Sequence, residues 1–252
     1  MHEPPGSPNA SLPDSAILET VLCGEPSLFL SQVGGTVAEI CFCTSRCVSL
    51  HPKSETMKNI VFDLGGVLFA RDKRKCDADL LGYFSFLRAP QMPRFWEEYD
   101  RGTNTLEKVT DTLASMTGQS RVRCAEVLQQ AIDLQEPIPV TERLVRDLKA
   151  SGRYRLYVLS NMAHEFIAHL RRFPVYGLFD GEVISCEELT VKPEPRIYEI
   201  LLERYALNPS ETLFIDDRPA NVSTAEHLGI HGFLFDHQDP ESSCAALRAR
   251  LL

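Results

Sequence analysis

Positive charge is what this sequence has least of. Its 26 lysines and arginines face 35 aspartates and glutamates, a net charge of −9. No basic excess exists to neutralise a nucleic-acid backbone, so nucleic acid is not expected as a partner. No apolar run approaches the roughly 18 residues that span a bilayer, so no membrane helix is expected. The opening MHEPPGSPNAS carries no basic region ahead of an apolar stretch, which argues against a secretory leader. Cysteines occur at 23, 41, 43, 47, 76, 124, 186 and 244, without the paired spacing of a disulfide framework. Reduced thiols in a cytoplasm fit that scatter. These absences point to a soluble, cytoplasmic protein, and they leave room for one small anionic substrate held by a bound cation or a cationic loop. Apolar content of 44% and charge of 24% are ordinary, and 252 residues can bury one larger core or two smaller ones.

The chain changes character at Met57. Before it come Pro4, Pro5, Pro8 and Pro13, then two short apolar runs, Phe29-Leu30 and Val37 to Phe42, with no sustained period. Residues 1–56 are therefore expected to be a disordered or weakly packed N-terminal extension, with Met57 as the natural start. The cluster Cys41, Cys43, Cys47 lacks a second CxxC or a histidine pair at finger spacing, so it is not read as a zinc site.

From Met57 onward strands and helices alternate. Asn59–Asp63 is a continuous apolar run ending in a carboxylate, the pattern of a strand buried on both faces. Residues 76–151 read as helices without a strand between them, at 77–87, 93–101, 105–117, 120–134 and 140–151. Strands return at 155–160, 181–185, 212–216 and 232–235, separated by helices at 163–172, 195–205 and 219–228, with a last helix at 242–251. This alternation predicts an α/β fold with a doubly wound parallel sheet, built from 57–75 and 152–252, carrying 76–151 as an inserted helical cap.

Ligands of such sheets bind beyond the carboxyl ends of the strands. Asp63, Ser160-Asn161, Lys192 in VKPEPRIY and Asp216-Asp217 in FIDDRPAN all fall at or just past strand ends. Singly each has a plain structural reading: a strand-end cap, a helix start, a loop charge, a helix cap. Four in order on the expected elements carry more weight. The series FDLGGVL, LSN, VKPEPRIY, FIDD resembles the four motifs of the haloacid dehalogenase superfamily, over nearly all of residues 57–252. The helical insertion, with YDRGTNTLEKVTDTLA (99–114) in it, is similar to the first cap type of subfamily I, and Gly65-Gly66 together with the double aspartate 216–217 is similar to the subgroup of α-glucose-1-phosphate-type sugar-phosphate phosphatases.

The resemblance implies a phosphatase acting through an aspartyl-phosphate. Asp63 would be the nucleophile. Mg²⁺ would be held by Asp63, Asp216 and the backbone carbonyl of Gly65. Lys192, Ser160 and the Asn161 backbone would bind the phosphoryl oxygens. Asp217 would orient Lys192 or a metal-bound water, and Asn221 would do similar work or face solvent. One departure matters: where such phosphatases carry a second aspartate, two residues after the nucleophile, this chain has Gly65. That residue delivers and recovers a proton, a service worth about 10²–10⁴-fold in rate. Asp72, Glu97, Glu98 and Asp100 are the candidates to replace it; otherwise the substrate needs a good leaving group, which favours a sugar 1-phosphate. The rival readings are a metal-free dehalogenase, disfavoured by the tandem acids 216–217, and a catalytically silent binding protein.

Overall fold

The computed structural model describes residues 57–72, 74–76, 78–88 and 92–252; the expectations for the N-terminal segment, Cys41 to Cys47 included, lie outside them. Ile60, Val61 and Phe62 are fully buried and form β1 (Asn59–Phe62). A tight turn leads into the short β2 (Phe69–Arg71). The helical block follows as α1 (Ala78–Tyr83), α2 (Arg94–Asp100), α3 (Leu106–Thr117) and α4 (Arg121–Asp133). Thr105 and Ser120 cap α3 and α4 by accepting from the Lys108 and Arg123 amides, and left-handed Gly118 stops α3. Next come β3 (Gln135–Pro137), α5 (Pro139–Ala150), β4 (Arg155–Ser160), α6 (His164–Leu170) and β5 (Gly181–Ile184). The chain ends with α7 (Ser185–Glu188), α8 (Pro195–Tyr205), β6 (Thr212–Asp216), α9 (Pro219–His227), β7 (His231–Leu234) and α10 (Pro240–Leu251). None of the described helices is long and apolar enough to cross a membrane.

Five strands make one parallel sheet in the order β5-β4-β1-β6-β7, with helices on both faces. This is the doubly wound α/β fold expected from the sequence. The chain winds outward from β1 through β4 and β5, then returns to the other side for β6 and β7. The direction of winding reverses between β1 and β6, where such sheets open a crevice. Alternate residues of each strand feed opposite faces. Ile60, Phe62, Leu156, Val158, Leu213 and Ile215 pack with α5 and α10. Val61, Tyr157, Leu159 and Phe214 pack with α8 and Ala225 of α9.

Two details depart from the sequence reading. The block 76–151 is not wholly helical, because β3 pairs antiparallel with β2, Phe69 opposite Pro137. Gln135-Glu136-Pro137 has no apolar alternation to announce a strand, and its pairing comes from the chain returning beside its own exit point. The last helix of the block, α5, also packs elsewhere than expected. Leu144, Val145 and Leu148 join the sheet's cluster, not the cap's. The cap's interior comes from α1–α4 and two side chains of the α6 region, Ala163 and Phe166.

Candidate active site

Parallel pairing of β1 and β6 brings two carboxylates to one edge. The Asp63 amide donates to the Ile215 carbonyl at 2.9 Å, so Asp63 stands beside Asp216, the last residue of β6. Lys192 enters from the loop between α7 and α8, with its side chain only 1% exposed. Its Nζ lies 2.9 Å from Asp63 Oδ1, 2.6 Å from Asp216 Oδ2 and 2.9 Å from the Leu159 carbonyl. An ammonium has three hydrogens, and all three are engaged. Burial alone would pull the Lys192 pKa down, but Asp216 and Asp63 together outweigh it and hold the group above its usual range. Burial raises the Asp63 pKa, and the Asp216 charge adds to that against the pull of Lys192.

The other expected residues surround this pair. Ser160 Oγ donates to Asp63 Oδ1 at 2.8 Å. Asn161 reaches Lys192 through its side chain: its Oδ1 accepts from the Lys192 amide at 2.7 Å and its Nδ2 donates to the Lys192 carbonyl at 2.9 Å. Asn221 does not face solvent. It is buried and its Nδ2 donates to both oxygens of Asp216, at 3.0 and 3.1 Å. No hydrogen bond joins Asp217 to Lys192; Asp217 Oδ2 lies 3.3 Å from His237 Nδ1 instead. Burial, reinforced by Asp63 and Asp216, pushes the Asp217 carboxyl up to about 7. Carboxylate oxygens of Asp63, Asp216 and Asp217 all lie within 4.8 Å of one another. Three such oxygens, with no sulfur or imidazole among them, suit a hard divalent cation.

A family profile for haloacid dehalogenase-like hydrolases matches residues 57–229. The chain belongs to that family. Among known relatives of this haloacid dehalogenase-like hydrolase is a sesquiterpene phosphatase of Aspergillus oryzae, 28% identical over 77% of this chain and 96% of its own length. A D-ribitol-5-phosphate phosphatase of Bacteroides thetaiotaomicron is 25% identical over 70% of this chain and 91% of its own. A family enzyme from the same bacterium, solved with magnesium and inorganic phosphate, superposes with a TM-score of 0.57 at 26% identity, covering 72% of this chain and 95% of that one. The chain is thus a phosphatase-like hydrolase.

Within this hydrolase the two glycines after the first motif differ. Gly66 has φ +81°, and a Cβ there would stand 2.6 Å from Asp217 Oδ2, so only glycine fits. Gly65 has nothing within 4 Å of such a Cβ, so space for a side chain exists where the sequence provides none. Phe69 closes the turn through the Leu64 carbonyl and the Gly66 amide, which leaves the Gly65 carbonyl outside that pair of bonds.

The cap meets the site at the end of α2. Tyr99 Oη donates to Glu165 at 2.7 Å, and Gly102 (φ +81°) runs so close to α7 that a Cβ would lie 2.4 Å from the Cys186 carbonyl. Arg101 grips Glu194 with two bonds, 2.9 and 2.6 Å, so the cap also steadies the loop that carries Lys192. Arg101, Glu194 and His237 were absent from the sequence reading. Arg101 and Glu194 stand 93 residues apart, and nothing local marks them as partners. His237 lies beyond β7, where no motif draws attention to it.

Proposed function

We propose that the chain is a magnesium-dependent phosphatase acting on a small phosphorylated metabolite, of the sugar-phosphate class, through an aspartyl-phosphate on Asp63. The cap of α1–α4 is read as the first cap type of subfamily I. The observation that carries the proposal is the charge balance at the strand ends. Three clustered carboxylates face one buried ammonium, and a dianionic phosphate could not approach that excess of negative charge unaided. Mg²⁺ bound by Asp63, Asp216 and the Gly65 carbonyl, with Asp217 alongside, would supply the missing positive charge and polarise the phosphoryl oxygens.

The chain's own residues do the rest. An Asp63 carboxylate oxygen attacks phosphorus and the bond to the departing oxygen breaks; water then attacks the aspartyl-phosphate and restores Asp63. Lys192 pairs with Asp63 at 2.9 Å and Asp216 at 2.6 Å, and its charge adjoins the incoming phosphoryl group. Ser160 fixes the rotamer of Asp63 at 2.8 Å, and Asn161 fixes the backbone that carries Lys192. Asn221 orients Asp216. The phosphatase relatives support the reaction, and the one named for ribitol 5-phosphate supports a polyol or sugar phosphate.

The test is a panel of phosphorylated metabolites with the full-length protein, with and without Mg²⁺. Turnover should need Mg²⁺, stop with EDTA, and fall by about 10⁴-fold or more in Asp63→Asn. No turnover by the natural protein, or equal turnover by the variant, rejects the proposal. Halide release from a haloacid without Mg²⁺ would put the dehalogenase reading in its place.

A further inference from the structure

An alkyl phosphate releases an alkoxide unless a proton reaches the departing oxygen, and Gly65, two residues after Asp63, has no side chain to deliver one. In-line displacement puts that oxygen on the side of phosphorus away from Asp63, where a donor from the cap side of the cleft can reach it. Three of the four acids weighed from the sequence are committed to arginines. Asp72 binds Arg74 Nε at 2.9 Å and Nη2 at 2.8 Å, bonds that hold its carboxyl down at about 2. Glu97 pairs with Arg101 at 2.8 Å and Glu98 with Arg94 at 2.7 Å.

Asp100 is placed differently. It closes α2, and its backbone carbonyl accepts from Ser185 Oγ, which itself accepts from the Met162 amide at 2.9 Å. Asp100 is thereby fixed at the carboxyl edge of β4 and β5, the edge that presents Ser160 to Asp63. Its carboxyl lies within electrostatic reach of both Asp63 and Arg218.

We propose that Asp100, supplied by the cap, is the general acid and base of this site, an assignment that rests on the phosphatase reading above. In the first step the Asp100 proton passes to the departing oxygen as the phosphorus–oxygen bond breaks, giving a neutral alcohol and an Asp100 carboxylate. In the second, that carboxylate takes a proton from the water attacking the aspartyl-phosphate, and both aspartates return to their starting states. Burial raises the Asp100 pKa well above its ordinary value, and the charges of Asp63 and Glu97 push the same way. Arg218 and the nearby Ala163 amide oppose them without cancelling the rise. The carbonyl end of α2 also disfavours a second negative charge there. A donor must start the cycle protonated, and burial favours that form of Asp100.

The experiment measures kcat/KM, which reports only steps up to departure of the leaving group, for phosphate monoesters running from nitrophenyl to primary alkyl. Full-length protein with Mg²⁺ should vary by less than about tenfold across the series. Asp100→Asn should lose about 10²–10³-fold on the alkyl ester and less than about tenfold on the nitrophenyl ester. The ratio between esters is independent of the fraction of protein folded. A steep profile in the natural protein needs no variant and overturns the assignment, as do equal losses on both esters. Full activity in Asp63→Asn overturns this assignment together with the phosphatase reading. An inactive Asp63→Asn beside an Asp100→Asn that keeps the shallow profile removes the acid assignment alone.

Discussion

The floor of the cleft is ionic: one ammonium lies between two buried carboxylates, braced by Ser160 and Asn221. The cap is aromatic: Phe84, Tyr99 and Phe166 surround Trp96 with ring centroids 5.5, 5.5 and 6.1 Å away. The floor draws its specificity from hydrogen bonds of fixed length and direction, which a change of one atom breaks. The cap draws its stability from buried area, which many side chains can supply. The floor is therefore the part of the molecule least free to vary, and the cap the part most free to do so. Only the rim where α2 touches the strand ends combines both characters.

That contrast can be tested hardest at Lys192. Lys192→Met keeps the length but leaves Asp63 and Asp216 buried against each other, and should cost about 3–5 kcal/mol in urea denaturation. A loss below about 1 kcal/mol would mean that the floor is wetter and more forgiving than described. The neighbouring glycines give a finer comparison. Gly66→Ala forces a side chain into left-handed backbone and against Asp217 Oδ2, and should destabilise by about 1–3 kcal/mol. Gly65→Ala meets open space and should instead stabilise by about 0.4–1 kcal/mol. Melting temperatures of both variants check the signs, and equal effects would remove the distinction.

The smallest effect belongs to the rim. Arg101 and Glu194 are 21% and 43% exposed, so Arg101→Ala should cost no more than about 1 kcal/mol. Arg101 holds the Glu194 carboxyl down at about 2, against an ordinary 4.5. A depressed carboxylate pKa stabilises the fold above the unfolded value and ceases to do so as pH falls through the folded one. The gap in melting temperature between natural protein and variant should therefore be full above pH 4.5 and close toward pH 2. A gap that stays constant on acidification would assign the effect to packing and not to charge.

The floor was legible in the sequence because each of its groups follows a buried run or a strand end, positions that topology alone sends to one edge. Asp63, Lys192 and Asp216 needed only the order of elements to be brought together. The rim was not legible, since Arg101 with Glu194 and Asp217 with His237 are encounters between distant loops. The side on which α5 packs was equally hidden. Val140, Leu144, Val145 and Leu148 announce an apolar stripe without saying what it will meet. A three-residue strand of Gln, Glu and Pro sends no signal until its partner is known.

The ribbon of β2 and β3 has one more consequence. Because the chain leaves and re-enters the sheet domain at paired strands, everything between Arg71 and Gln135 hangs from a single doorway. A different cap spliced at that doorway would inherit the register of both strands and leave β1 and Asp63 where they are. The exchange would keep the ionic floor, and the new cap would have to bring its own counterparts of Asp100 and Arg101.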